Sequence, residues 1–300
     1  MIDVPEPTIG QIRRERPRGA RDHVRSAVLS GLASLAELRG NVDAALARPR
    51  VQFVYFHHVF ADEEAGFRAI LRELAAHHAF IGHSEAFERI RDGRIERPYV
   101  SVSFDDGFAD NERASRILEE FGARGCFFVC PGIVGERAPE RLAAFCAERL
   151  EFPVTSPFLD WDQLEALLER GHEIGGHTMT HPNLGATEPS DARAEIQGSY
   201  EALVARLGAV RHFAWPRGRW EHMTPVARAA VFAAGYQTCA SAVRGAHVAP
   251  ADGNLANLCI RRDHVVADWP LSHVRYLLMR NAVTASAATN DWPAEYPRVA

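Results

Sequence analysis

Asp105 and Asp106 stand side by side in "SVSFDDGFADN", residues 101–111, where an alternating stretch ends. Two like charges at such a position cost free energy unless a cation or a proton-transfer role offsets their repulsion. Asp-Gly between strands marks a hairpin, but the residues after Gly107 carry helical spacing, so a strand-to-helix loop is expected instead. Asp110 is the expected cap of that helix. Asp105 and Asp106 are then left without a structural duty.

A second candidate group lies in "GGHTMTHPNL". His177 and His181 are four residues apart, a spacing that sets two imidazoles on one side of a helical turn or tight loop, as a metal requires. Among 14 histidines the spacing alone is weak. Its position after the strand-like "HEIGG", between paired glycines and Pro182, strengthens it. Two histidines and one carboxylate make a three-ligand set with open positions, the pattern of a catalytic metal rather than a structural one. One aspartate as ligand and its neighbour as general base accounts for the juxtaposition.

These groups need elements to hold them. Short apolar segments at 51–56, 99–104, 125–130, 172–176, 212–216, 236–241 and 257–262 read as strands. Helical patterns separate them, several ending on a glycine: Gly122, Gly171, Gly208 and Gly235. Repeated strand-helix alternation implies a parallel sheet, open or closed into a barrel. Reactive groups gather at the C-terminal ends of such strands, which is where both candidate groups lie. Residues 1–23, rich in Pro, Arg and Glu, read as an irregular arm. Val28, Leu32, Leu35, Val42 and Leu46 then form one helical face, expected to pack on the main domain and to stop near Pro49. A membrane-surface contact of the basic arm and helix is a second expectation. The last residues, from about 284, read as a loose tail.

Composition narrows the class. The chain has 300 residues, 47% hydrophobic and 24% charged, with a net charge of −5, which argues against nucleic acid as a partner. The odd count of 5 cysteines without a CxxC pair points to buried thiols in a reducing compartment. With no export signal and no apolar span, a cytoplasmic location is expected.

The order "SFDDGF", "HTMTH", "FAWPRG", with "YFHHV" upstream and "WDQLEALLERGHEIGGHT" leading into the histidines, resembles the polysaccharide deacetylase family (NodB homology, carbohydrate esterase family 4). The resemblance covers roughly residues 51–281. It implies an α/β fold, a distorted (β/α) barrel of the NodB-homology type, here with an N-terminal helical extension over 1–50 and a C-terminal tail over 282–300. It also implies a divalent metal, zinc above cobalt or manganese, and removal of an acetyl group from an N-acetylated glycan, less often an O-acetylated one. Carried across by position, Asp105 matches the catalytic base, Asp106, His177 and His181 the metal ligands, and the Arg217 backbone N–H an oxyanion donor. Trp215, Pro216 and Trp220 match a groove wall.

Two departures stand out. Ala214 occupies the place of the arginine that commonly holds the catalytic aspartate, with Arg262 as a substitute candidate. The Leu-x-His motif that supplies the general acid is missing, leaving His264 or His58 as candidates. Residues 131–160 form a long connection expected to line one side of the groove. The rival readings are a non-catalytic glycan-binding or assembly protein on the same scaffold, and a hydrolase of another C–N bond, such as a cyclic ureide.

Overall fold

The computed structural model describes residues 4–40, 42–248, 258–286, 292–293 and 295–296. Among the described residues ten strands make one sheet: β1 (Arg50–Phe56), β2 (Ala79–Phe80), β3 (Pro98–Phe104), β4 (Gly125–Val129), β5 (Glu173–Gly176), β6 (His212–Ala214), β7 (Thr238–Ala240), β8 (Ala246–His247), β9 (Cys259–Ile260) and β10 (Asp263–His264). Their order is β10-β1-β3-β4-β5-β6-β7-β9, with β2 beside β3 and β8 beside β1. All pairings are parallel except that of β8 with β1. β9 and β10 lie at opposite ends of this order, yet only Arg261 and Arg262 separate them in sequence. A two-residue step is too short to cross an open sheet, so the sheet has curled until its ends nearly meet.

The helices in chain order are α1 (Ile9–Glu15), α2 (Ala20–Leu38), α3 (Val42–Leu46), α4 (Glu64–His77), α5 (His83–Asp92), α6 (Asn111–Glu120), α7 (Pro139–Ala144), α8 (Trp161–Glu169), α9 (Pro189–Leu207), α10 (Pro225–Ala234) and α11 (Leu271–Thr284). Side chains alternate across each strand. Val51 and Phe53 of β1 join the cluster inside the barrel with Phe128, Ala214 and Ile260, while Val54 and Phe56 face the helices with Phe67, Val102 and Phe104. Both faces of the sheet are buried, as in parallel sheets generally. The same alternation runs Tyr99, Ser101, Ser103 along the inside of β3 and delivers Asp105 to the interior. The five cysteines are free and buried.

Three expectations are corrected. The stretch before residue 24 is not irregular, since α1 and the start of α2 lie there, α1 opened by a reciprocal Thr8–Gln11 capping box. The helix expected from Val28 to Leu46 is two, α2 and α3, and its apolar face divides between them: Val42 and Leu46 on α3 pack into the core as expected, whereas the α2 part does not. Ala33 and Ala36 are buried instead, and Val28, Leu32 and Leu35 are exposed. The tail is not wholly loose either. Residues 287–291, 294 and 297–300 lie outside the described residues, but Trp292 and Tyr296 are buried, Trp292 stacking on Trp215 at 5.3 Å.

Candidate active site

The C-terminal ends of β1, β3, β5, β6 and β10 surround a cavity of about 510 Å³ lined by Tyr55, His57, Asp105, Asp106, His177, His181, Arg217 and His264 among others. Asp105 prolongs β3, its N–H donating to the Phe56 carbonyl at 3.0 Å. Asp106 and Gly107 then both adopt φ 76°. For Asp106 this left-handed conformation costs of order 1 kcal/mol or more. At Gly107 a Cβ atom would lie 2.9 Å from Val129 Cγ1, so glycine is required. The abrupt turn gives the two carboxylates different partners.

Asp105 meets Arg262. The guanidinium Nη1 donates to Asp105 Oδ1 at 2.7 Å and Nη2 to Oδ2 at 2.8 Å, a bidentate fork. Nε donates to the Ser241 carbonyl at 2.9 Å and Nη1 also reaches Ser103 Oγ at 3.3 Å. Arg262 is fully buried, its guanidinium carbon 4.4 Å from the Tyr55 ring centroid and 5.0 Å from that of Phe128. Burial pulls its pKa down, and the charge and hydrogen bonds of Asp105 more than offset that, so the net direction is up. Ala214, also buried, leaves the interior open to this arginine from the other edge of the sheet.

Asp106 meets the histidines. Its Oδ1 lies 3.4 Å from His177 Nε2 and 3.4 Å from His181 Nε2, and the ligand atoms of the three residues lie within 4.8 Å of one another. The Nδ1 of His177 is 2.7 Å from the Ala214 carbonyl and that of His181 3.1 Å from the Arg149 carbonyl. A carbonyl only accepts, so each Nδ1 carries a proton, and in the neutral rings each Nε2 presents a lone pair toward a buried carboxylate. Such a convergence of donors, with the Ala214 and Arg149 carbonyls fixing the rings, fits a divalent cation. Burial pushes Asp106 up, but the His177 hydrogen bond and the neighbouring imidazoles bring it down below the ordinary carboxylate range. Burial pushes His181 down to about 4. In His177 burial also lowers the pKa, but contact with Asp106 outweighs it and raises the value. The loop between the histidines is not helical: Thr178 (φ 64°) and His181 (φ 59°) are left-handed, and the Thr178 hydroxyl oxygen accepts from His181 N–H at 3.0 Å.

The other candidates are dispersed. Arg217 has φ 63° and lines the cavity. Its N–H donates to no group among the described residues, and its side chain pairs with Glu151 at 2.5 Å. His264 lines the cavity with its Nε2 3.2 Å from His57 Nδ1. Burial holds His264 well below the ordinary histidine range and lowers His57 as well. His58 is 3.2 Å from Asp110 and packs on Phe108, ring centroids 3.8 Å apart. Asp110 does not cap α6 with its side chain, contrary to expectation. Its Oδ2 accepts the Val59 N–H at 2.7 Å, so the carboxylate ties β1 to the β3 loop. Trp215 is fully buried, its indole N–H donating to the Arg219 carbonyl at 3.1 Å. Trp220 stacks in the same aromatic group. Neither Trp220 nor Pro216 is among the cavity-lining residues.

Residues whose roles the motifs did not suggest also shape the cavity. Ile9, Ile12 and Arg16 of the arm, and Arg149, Leu150, Glu151 and Phe152 of the long connection, form part of its wall. Glu63 lines it as well. Burial pushes that carboxyl up to about 7.

The sequence model of the polysaccharide deacetylase family matches residues 92–239. That segment belongs to the polysaccharide deacetylase family. It contains Asp105, Asp106, His177 and His181, whereas Arg262, His264 and the arm lie beyond it. A chitooligosaccharide deacetylase of Bradyrhizobium is 32% identical over 59 residues, 19% of this chain and 27% of that protein, so the match spans little more than a quarter of this relative. Among solved structures, the Streptococcus pyogenes deacetylase PplD in complex with acetate superposes with TM-score 0.58 at 18% identity, over 79% of this chain and 98% of that one. IcaB from Ammonifex degensii gives TM-score 0.58 at 21% identity, over 78% of this chain and 98% of that one. At these identities the likeness establishes the NodB-type barrel. No helix among the described residues is long and apolar enough to cross a membrane.

Proposed function

We propose that this chain is a metal-dependent hydrolase that removes the acetyl group from an N-acetylated amino sugar of an oligo- or polysaccharide or glycan precursor, with residues 51–281 as the catalytic domain. The observation that carries the reading is the split of the two adjacent carboxylates, Asp106 converging with His177 and His181 and Asp105 gripped by Arg262. A divalent cation held by Asp106, His177 and His181, zinc first and cobalt or manganese next, would supply Lewis-acid polarisation of the acetyl carbonyl and lower the pKa of water.

The chain's own groups do the rest. Asp105 takes the proton of the water that attacks the acetamide carbon. Arg262 keeps both carboxylate oxygens in one orientation, the duty for which Ala214 has no side chain. The Arg217 N–H, at the cavity wall and unengaged among the described residues, donates to the oxyanion as it forms. The tetrahedral carbon then expels the amine, which needs a proton. Burial keeps His264 neutral, so its part, with His57 at 3.2 Å, is to pass on to that amine the proton that Asp105 took from the water rather than to hold one in reserve. Trp215 forms part of the wall that meets the sugar, with Pro216 and Trp220 supporting it from behind, and Arg16, Arg149 and Glu151 meet the substrate at the rim.

The test is acetate release from N-acetylglucosamine oligosaccharides by the full chain, with and without chelator. Asp105→Asn is expected to bind zinc as the wild type does and to lose at least about a thousandfold in kcat. Normal turnover by that variant rejects the assignment of the base. Release of acetate from O-acetylated but not N-acetylated glycans would move the reading to an esterase of the same fold.

A further inference from the structure

All the large hydrophobic residues left exposed among the described residues lie on two helices packed together: Val24, Val28, Leu32, Leu35 and Leu38 on α2, and Leu271 and Val283 on α11. A chain with a well-filled core does not concentrate such residues on one face without an occupant for it. On a helix of 3.6 residues per turn, Val24, Val28, Leu32, Leu35 and Leu38 fall within one arc about a third of the circumference wide. The opposite side, Ala33 and Ala36, is what α2 buries. Arg21, Arg25 and Arg39 fall on the same outward half as the apolar arc, and none makes an ion pair among the described residues. The two acids of α2 are turned away from that half, Glu37 held by Arg275 at 3.0 Å and Asp22 accepting from the Gly19 N–H at 3.0 Å. The outward face is therefore apolar and purely cationic.

We infer that this face of α2 docks on an anionic lipid surface. An interfacial helix buries an apolar arc at the headgroup boundary and sets arginines against anionic headgroups, which is the arrangement here. A second copy packing through the same face would oppose like charges with no acid between them. The position suits the site as well. The short link Arg16–Gly19 joins α2 to α1, whose Ile9 and Ile12 line the cavity, and Arg25 is near enough to lower the pKa of His264. Docking through α2 thus brings the cavity mouth beside the lipid headgroups. Lipid binding is measured without turnover, so the inference stands or falls apart from deacetylation.

The experiment is co-sedimentation of the full chain with phosphatidylcholine vesicles containing one third phosphatidylglycerol, against pure phosphatidylcholine, with light scattering of the protein alone. Binding is expected only with the anionic vesicles and is expected to weaken in high salt. Arg21→Ser with Arg39→Ser should weaken it by about fivefold per arginine, and Val28→Ser with Leu35→Ser by tenfold or more. All four positions are exposed, so circular dichroism and acetate release without vesicles should match the wild type. Equal binding to both vesicle types, or to neither, overturns the inference. So does a wild-type dimer that Val28→Ser with Leu35→Ser converts to a monomer.

Discussion

Arg262 and Asp105, 157 residues apart in the chain, form a fully buried two-pronged ion pair inside the barrel. Asp105 belongs to the family-matched segment and Arg262 does not, so the proposed base takes its orientation from the seam between β9 and β10, where the two ends of the sheet meet. Removing one member of a buried pair strands the other and costs about 3–5 kcal/mol, whereas replacing both with uncharged groups of similar volume is often neutral. Arg262→Met is therefore expected to lower stability by that amount and to abolish acetate release. Adding Asp105→Asn should recover most of the stability and none of the activity. Denaturant titration of the two single variants and the double variant checks this, and additive losses would show that the pair does not couple.

Zinc is expected to raise the melting temperature of the wild type, because a ligand that binds only the folded state stabilises it by about 2.7 kcal/mol at a hundredfold excess over Kd. His177→Ala and His181→Ala should lose this response, and Asp105→Asn should keep it. Thermal unfolding with zinc and with chelator makes the comparison.

Glu63 sets a pH dependence. Its folded pKa of about 7 lies above the ordinary carboxyl value because burial disfavours the anion, and Oε1 has no partner among the described residues. The folded state holds this proton more tightly than the unfolded state. Stability from it is fully present below the ordinary glutamate pKa and declines as pH rises through about 7, by up to about 3 kcal/mol. Glu63→Gln is expected to flatten that part of a stability curve measured by urea titration across neutral pH. An unchanged slope would contradict this.

Asp62 holds the arm. Its carboxylate accepts from Ile9 N–H at 3.0 Å and Gly10 N–H at 3.3 Å, so Asp62→Ala should cost α1 about 1 kcal/mol. Since α1 forms part of the cavity wall, KM is expected to rise several-fold with kcat little changed. Hydrogen exchange over residues 9–15 should quicken in parallel.

Much of this was legible in the residues. Alternation in "YVSVSF" predicted β3, and only the structure shows that the same alternation, carried one step further, turns Asp105 inward. The spacing of His177 and His181 gave a metal-binding reading, and the geometry brings both to Asp106. Arg262 could be named as a candidate because Ala214 left a duty vacant. Its contact could not be derived, since that depends on closure of the sheet. Asp110 was misread because local capping chemistry lost to a tertiary demand, the unpaired Val59 N–H beside β1. "IGQIRRE" has too few apolar positions to signal a helix, and α1 stands through its capping box and the Asp62 carboxylate. The short strands β2, β8 and β10, two residues each, exist only through their pairings and leave no pattern of their own.

The seam between β9 and β10 bears on synthesis. Ribosomes deliver the N-terminal part first, and a polypeptide that has emerged only through β7 already possesses Asp106, His177 and His181. It lacks the arginine that orients Asp105. If the proposed roles hold, the cation ligands are synthesised before the arginine that grips Asp105, and a product ending before residue 262 would keep the three ligands and lose the orienting fork.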